Sequence, residues 1–93
     1  MVNALWIHPD DNVAVALRDL PAGESLTFDG QEAASEIRTR EPIPFGHKIA
    51  LDLIAPGASV IKYGAQIGLA SADIVPGQHV HVHNLSSVRG AAQ

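Results

Sequence analysis

The chain reads as a mostly β protein with at most a short helical turn, and three observations predict it. Turn signals recur at Pro9-Asp10-Asp11-Asn12, Pro21-Ala22-Gly23, Asp29-Gly30, Pro56-Gly57 and Pro76-Gly77, cutting the sequence into short pieces. Between them lie runs rich in Val, Ile and Leu, whose branched side chains fit a pleated, half-buried surface. Of the 93 residues 46% are hydrophobic, yet only Trp6, Phe28, Phe45 and Tyr63 are aromatic, so the core has to be aliphatic. Such a core in so short a chain leaves little room for a deep pocket, which puts any site in a surface cleft.

In chain order, strands are predicted at residues 5–8, 13–17, 25–28, 43–44, 48–53, 59–63, 66–68 and 79–83. The stretch Val13-Ala14-Val15-Ala16-Leu17 is apolar on both sides and reads as a buried strand. Residues 31–40 contain good helix formers but are short for a helix without tertiary support. Following the Asp29-Gly30 turn, they read as strand or loop. A single helical turn is expected at residues 45–47. Gly64 and Gly68 fall in a strand region, where glycine marks a bend or a close backbone approach. Leu20-Pro21-Ala22-Gly23, Ala55-Pro56-Gly57-Ala58 and Val75-Pro76-Gly77-Gln78 repeat one pattern of apolar residue, proline, tight turn and strand. Their irregular spacing suits a convoluted β fold rather than a solenoid. The expectation is one domain over 1–93, with its core at about residues 5–85 and a loose tail at 86–93.

Composition removes several functions. The net charge is −4, and the basic residues are scattered rather than gathered into a run, which argues against a nucleic-acid partner. There is no cysteine, hence no disulfide and no thiolate metal site. No basic n-region precedes an apolar run near the start, and nothing approaches a membrane-spanning stretch. A cytoplasmic protein without a membrane partner is expected.

Three places can carry chemistry. In His79-Val80-His81-Val82-His83-Asn84 an extended backbone would put three imidazoles on one face, about 6.5–7 Å apart per step. Neighbouring histidines can share an ion, whereas all three on one ion would need the strand to curl. Three readings stand: a metal site at His79, His81 and His83, one wall of a polar pocket, or a plain solvated face. Imidazole suits Zn, Fe, Mn, Ni and Cu alike. In Gly46-His47-Lys48, His47 can move a proton near neutral pH and Lys48 can hold a carboxylate or sulfonate. The competing reading is an ordinary turn with a solvated lysine. In Lys62-Tyr63-Gly64, the simplest reading leaves Tyr63 half-buried with its hydroxyl at a rim. Asp10, Asp11 and Asn12 read as a turn cap rather than as metal ligands. The remaining acids show no paired spacing, and no phosphate loop or nucleophile triad is readable.

The blocks His8-x-x-Asp11-Asn12-Val13-Ala14-Val15-Ala16, Gly46-His47-Lys48-Ile49-Ala50-Leu51, Ile61-Lys62-Tyr63-Gly64-x-x-Ile67-Gly68-x-Ala70 and Gly77-x-His79-Val80-His81-Val82-His83-Asn84, in that order, closely resemble the N-terminal SAF domain of the altronate and galactarate dehydratase family. The resemblance runs from about Ile7 to Asn84. It implies a SAF domain of the β-clip fold. The chain's length resembles the small subunit of a two-subunit member, such as sulfolactate sulfo-lyase or a split altronate-type dehydratase. The implied partners are a separately encoded large subunit and a small hydroxy acid, with a homo-oligomer left open.

The implied chemistry is removal of the proton from the carbon bearing the carboxylate and hydroxyl. Water or sulfite then leaves from the β carbon, and the enol relaxes to a 2-keto acid. A divalent ion, commonly iron or manganese, would stabilise the enolate and sit mainly on the large subunit or at the histidines. By this resemblance His47 and Lys48 are the catalytic candidates, Lys62, Tyr63 and Asn84 contact substrate, and His79, His81 and His83 face the cleft. The galactarate branch lacks the His-rich ending, so the family fold does not depend on it. Two other functions compete with the lyase subunit: a SAF module that binds sugar acids without catalysis, and a purely structural oligomerisation domain.

Overall fold

A computed structural model describes residues 2–30 and 36–87. Seven strands form among the described residues: β1 (Ala4–Leu5), β2 (Val13–Ala16), β3 (Lys48–Ala50), β4 (Ser59–Lys62), β5 (Ala65–Ala70), β6 (His79–Val80) and β7 (Leu85–Ser87). They make two antiparallel sheets, one ordered β1-β2-β3-β6 and the other β4-β5-β7. The chain is mostly β, as the sequence predicts, and the described residues contain no helix.

The β2–β3 ladder separates two small cores. Ala14 and Ile49, paired across it, face a cluster with Leu20, Leu26, Ile43 and Leu51. Val13 and Ala50, the adjacent pair, face a second cluster with Ile54, Val60, Ile74 and Val80. Side chains alternate across a strand, so a strand apolar at every position can serve both cores. That accounts for the doubly apolar run at residues 13–16; Leu17, read as the end of the buried strand, lies outside β2 and is exposed. Seven side chains larger than alanine are essentially sealed, all of them Leu, Ile or Val.

One turn is used four times. Leu20, Ile43, Ile54 and Ile74 are each 1–3% exposed, and each is followed three residues later by a glycine with φ between 82° and 89°. That left-handed backbone suits glycine, which lacks the Cβ that makes it costly. Leu20 and Ile43 exchange both backbone hydrogen bonds, and Ile54 and Ile74 do the same. The sequence echo shows three of these turns. The fourth is Ile43-Pro44-Phe45-Gly46, where the helical turn at 45–47 was expected. There the His47 N–H donates to the Pro44 carbonyl and Gly46 sits at φ 82°, so it is a tight β-turn.

Other boundaries shift for local reasons. Of residues 5–8, only Leu5 is in a strand, because His8 starts a turn closed by the Asp11 N–H donating to its carbonyl. Residues 25–28 and 43–44 reduce to single bridges, Ser25 with Arg38 and Ile43 with Leu20. β3 stops at Ala50 rather than residue 53, and β5 extends beyond 66–68 at both ends. Tyr63 leaves β4 and forms a two-residue hairpin loop with Gly64, both at positive φ. Residues 86 and 87, assigned to the tail, belong to β7, which pairs with β5. Residues 31–35 of the ambiguous segment and 88–93 of the tail lie outside the described residues.

Gly68 and Gly64 behave as their strand positions imply. A Cβ on Gly68 would meet the Ser86 carbonyl at 2.3 Å, so the glycine permits the close approach of β5 and β7. Gly64 packs against the His8 ring.

Candidate functional site

Two of the repeated turns deliver the histidines. The turn ending at Gly46 leads into His47 and β3, and the turn ending at Gly77 leads into β6. β3 and β6 pair antiparallel, with Lys48 opposite Val80 and Ile49 opposite His79. This long-range pairing brings His47 against His79, with Nδ1 and Nε2 2.8 Å apart.

β6 is only two residues long, so the extended comb predicted over residues 79–83 does not form. Asn84 is the cause. Its Oδ1 accepts the His81 N–H at 3.0 Å, and its Nδ2 donates to the His79 carbonyl at 2.9 Å. The Asn84 N–H also donates to the His81 carbonyl, closing a tight turn. An asparagine side chain here competes with the sheet ladder for the same backbone groups. Asn84 is 2% exposed with both ends of its amide engaged, so the structure places it beneath the histidines as their fastening.

The turn folds His81 back over the sheet. The His47 and His81 rings stack at 4.2 Å between centroids and 15° between planes. His47 and His79 are 5.1 Å apart, and His79 and His81 are 5.4 Å apart. One ligand nitrogen from each of His47, His79 and His81 lies within 4.8 Å of the other two. His83 is exposed, and its one ring contact among the described residues is with His79, tilted by 42°. The expected grouping of His79, His81 and His83 therefore becomes His47, His79 and His81, with His83 at the edge.

The surroundings are cationic. Burial, and then the nearby Lys62 charge, hold the Lys48 amine below its usual proton affinity. The His79 imidazole is held below 6.5 by burial and by its histidine neighbours His47 and His83, against an opposing pull from Glu41. His81 is lowered by desolvation and then by His47 and Lys48. Lys62 is half-buried, with its ammonium 4.8 Å from the centre of the Tyr63 ring. Among the described residues no carboxylate forms an ion pair with Lys48 or Lys62. In a chain with an excess of acids, these two lysines gather positive charge with no ion-pair partner among the described residues.

Glu41 carried no signal in the sequence. It stands on the turn side of the site, where its Oε2 accepts the His79 backbone N–H at 3.1 Å. Asp11 fulfils the capping role read for it: its Oδ2 accepts the His8 N–H and its Oδ1 accepts the Gly64 N–H at 2.7 Å. It thereby ties the Tyr63-Gly64 loop to the turn after β1. A separate cleft of about 830 Å³, lined by Trp6, Leu51, Leu53 and Pro76 among others, includes none of the predicted site residues.

The arrangement can do two things chemically. Neutral imidazoles can donate lone pairs to a cation or exchange a proton, and the lysines can seat an anion. No helix among the described residues is long and apolar enough to cross a membrane.

The family described as the altronate/galactarate dehydratase SAF domain matches residues 2–88. Altronate dehydratase of Escherichia coli (strain K12) is 53% identical over 78 residues, covering 84% of this chain and 15% of that protein. Altronate dehydratase of Bacillus subtilis (strain 168) is 46% identical over 84 residues, covering 90% of this chain and 16% of the relative. The chain thus spans less than a fifth of these dehydratases. The (2R)-sulfolactate sulfo-lyase subunit alpha of Chromohalobacter salexigens is 37% identical over 83 residues, covering 86% of this chain and 88% of that subunit. With the match running through every strand and both histidine-bearing turns, the chain belongs to the altronate/galactarate dehydratase SAF domain family.

Proposed function

We propose that this chain is the small subunit of a two-component, cytoplasmic lyase that acts on a 2-hydroxy acid. The reaction is dehydration of a sugar acid such as altronate or galactarate, or release of sulfite from sulfolactate. The observation that carries the proposal is the surface cluster of three imidazoles beside two unpaired lysines. The name of the sulfo-lyase alpha subunit, which this chain matches over most of its length, supports a partner subunit.

In this reading Lys62 seats the substrate carboxylate while Tyr63 forms the rim. Lys48, its proton affinity already lowered by burial and by Lys62, takes the proton from the carbon bearing the hydroxyl. The C–H electron pair becomes the enol double bond as the β substituent departs with its bonding pair, as hydroxide that takes up a proton and leaves as water or as sulfite, and the enol relaxes to a 2-keto acid as a proton is added at the β carbon. The imidazoles of His47, His79 and His81 stand on the side of the hydroxyl oxygen and would hold the cation that this oxygen binds. A divalent ion such as iron or manganese, when bound, supplies charge stabilisation for the enolate. Asn84 keeps His79 and His81 in place.

The site is open to solvent, and enolate chemistry gains from exclusion of water, which a docked large subunit would provide. The test is co-purification of the tagged chain from its own host, followed by assays of 2-keto acid and sulfite formation. The expected result is activity only with a lyase-type partner present, lost in Lys48→Met while the complex persists. A chain that binds hydroxy acids alone, recruits no such partner and catalyses nothing is a binding module, and the proposal fails.

A further inference from the structure

We infer that His47, His79 and His81 form a mononuclear site for a divalent transition-metal ion on this chain itself, with His83 outside the coordination shell. The inference deepens the lyase reading of the same site. Its grounds are geometric and do not need that reading to hold.

The donor set comes first. Three ring nitrogens from two separate turns lie within 4.8 Å of one another, near enough for small rotations to aim them at one ion. Ring nitrogens of His47 and His79 already approach to 2.8 Å. Three-nitrogen sets suit Zn, Fe, Co and Ni, and leave positions free for water or an oxygen ligand. Hard ions that prefer carboxylates, such as calcium, fit poorly.

The lack of partners outside the cluster comes second. Among the described residues, the His81 ring nitrogens make no hydrogen bond, and His79 and His47 bond only to each other through their rings. Ring nitrogens without other partners are the atoms through which an imidazole ligates.

The supports come third. Ligands held loosely lose affinity, and partners that orient them typically matter by about 10–100-fold. Here Asn84 fixes the backbone of both His79 and His81, Glu41 holds the His79 N–H, and the Pro44–His47 turn fixes His47. His83 follows Val82, which is 82% exposed, and no side-chain hydrogen bond among the described residues orients its ring. The assignment therefore differs from the linear pattern of the sequence, which groups His83 with its neighbours and omits His47.

The experiment uses the purified chain, free of any histidine tag and stripped with a chelator. Zn²⁺ is titrated calorimetrically, and Co²⁺ is followed by its visible ligand-field absorption. One ion per chain is expected, with affinity reduced at least about 10-fold in His47→Gln, His79→Gln and His81→Gln. His83→Gln should bind within about threefold of the parent, a change too small for a lost ligand. Circular dichroism in chelator checks that each variant folds, and an unfolded Gln variant is replaced by its Asn counterpart. No stoichiometric binding overturns the assignment. So does a loss in His83→Gln equal to that in His47→Gln, which would return the ion to the 79–83 segment. Neither result touches complex formation with a large subunit, so failure here is separable from failure of the lyase reading.

Discussion

Replacing Asn84 by alanine should damage the protein far more than a surface polar substitution would. The side chain is 2% exposed and makes two hydrogen bonds to backbone groups, the His81 N–H at 3.0 Å and the His79 carbonyl at 2.9 Å. Alanine removes both partners at once and supplies nothing in their place. A buried polar group left unsatisfied costs about 1–3 kcal/mol. The site lies near the surface and water can reach part of it, so the lower half of that range applies to each group. The expected loss is about 2–4 kcal/mol in total. For a domain of this size each kcal/mol shifts the melting temperature by about 4–8 °C, which makes a drop of roughly 8–32 °C.

Urea unfolding of parent and variant gives the free-energy difference, with unchanged slopes confirming that the same surface is exposed. Amide hydrogen exchange adds the local readout, because the His81 amide should lose protection in the variant. A loss below about 0.5 kcal/mol, in the range of ordinary surface changes, would refute the reasoning. Unchanged protection at His81 would refute it too, since Asn84 would then not be holding the turn.

Three further outcomes follow from the same geometry. Gly77→Ala should destabilise by more than about 3 kcal/mol, because its Cβ would lie 2.0 Å from the Arg38 carbonyl oxygen. Gly57→Ala, with the same φ sign but nothing within 4 Å, should cost about 1–2 kcal/mol, and paired urea melts compare the two. In chelator, stability should fall as pH drops below 6.5: His79 and His81 have lowered folded-state values, so the unfolded chain binds protons first. His79→Gln with His81→Gln should flatten that slope in a pH series of unfolding curves. Tyr63→Asn should raise the melting temperature by a few degrees, about 0.5–1 kcal/mol, because Tyr63 holds φ 55° in a loop position that asparagine favours. A lower melting temperature would show that the Lys62–Tyr63 contact outweighs the backbone strain.

Much of the fold is legible because it depends on local pattern. The run at residues 13–17 declares a strand buried on both faces, and the Pro-Gly turns declare where strands begin. What the sequence hides is where side chains replace the ladder. Nothing in an alternating His-Val pattern reveals that Asn84 will take the His81 N–H and stop β6 after two residues. β7 is hidden for another reason: its serines face solvent at a sheet edge, and an exposed edge strand carries no hydrophobic alternation. The candidate residues are visible in the sequence, but the way the fold groups them is not. His47 and His79 are 32 positions apart, and only the β3–β6 pairing makes them neighbours.

The fourfold turn has a consequence for how this scaffold could be altered. The residue that begins the strand or bridge after each turn is Ser25, Lys48, Ser59 or His79. Four equivalent mounting points thus exist, two bearing a lysine or a histidine and two fitted with a small hydroxyl. Because the backbone at each mount is set by its own glycine and its paired apolar residue, side chains there can be exchanged without rebuilding the frame. A basic and an imidazole side chain transplanted to the serine mounts would ask whether a vacant half of a β scaffold can be furnished with the chemistry of the other.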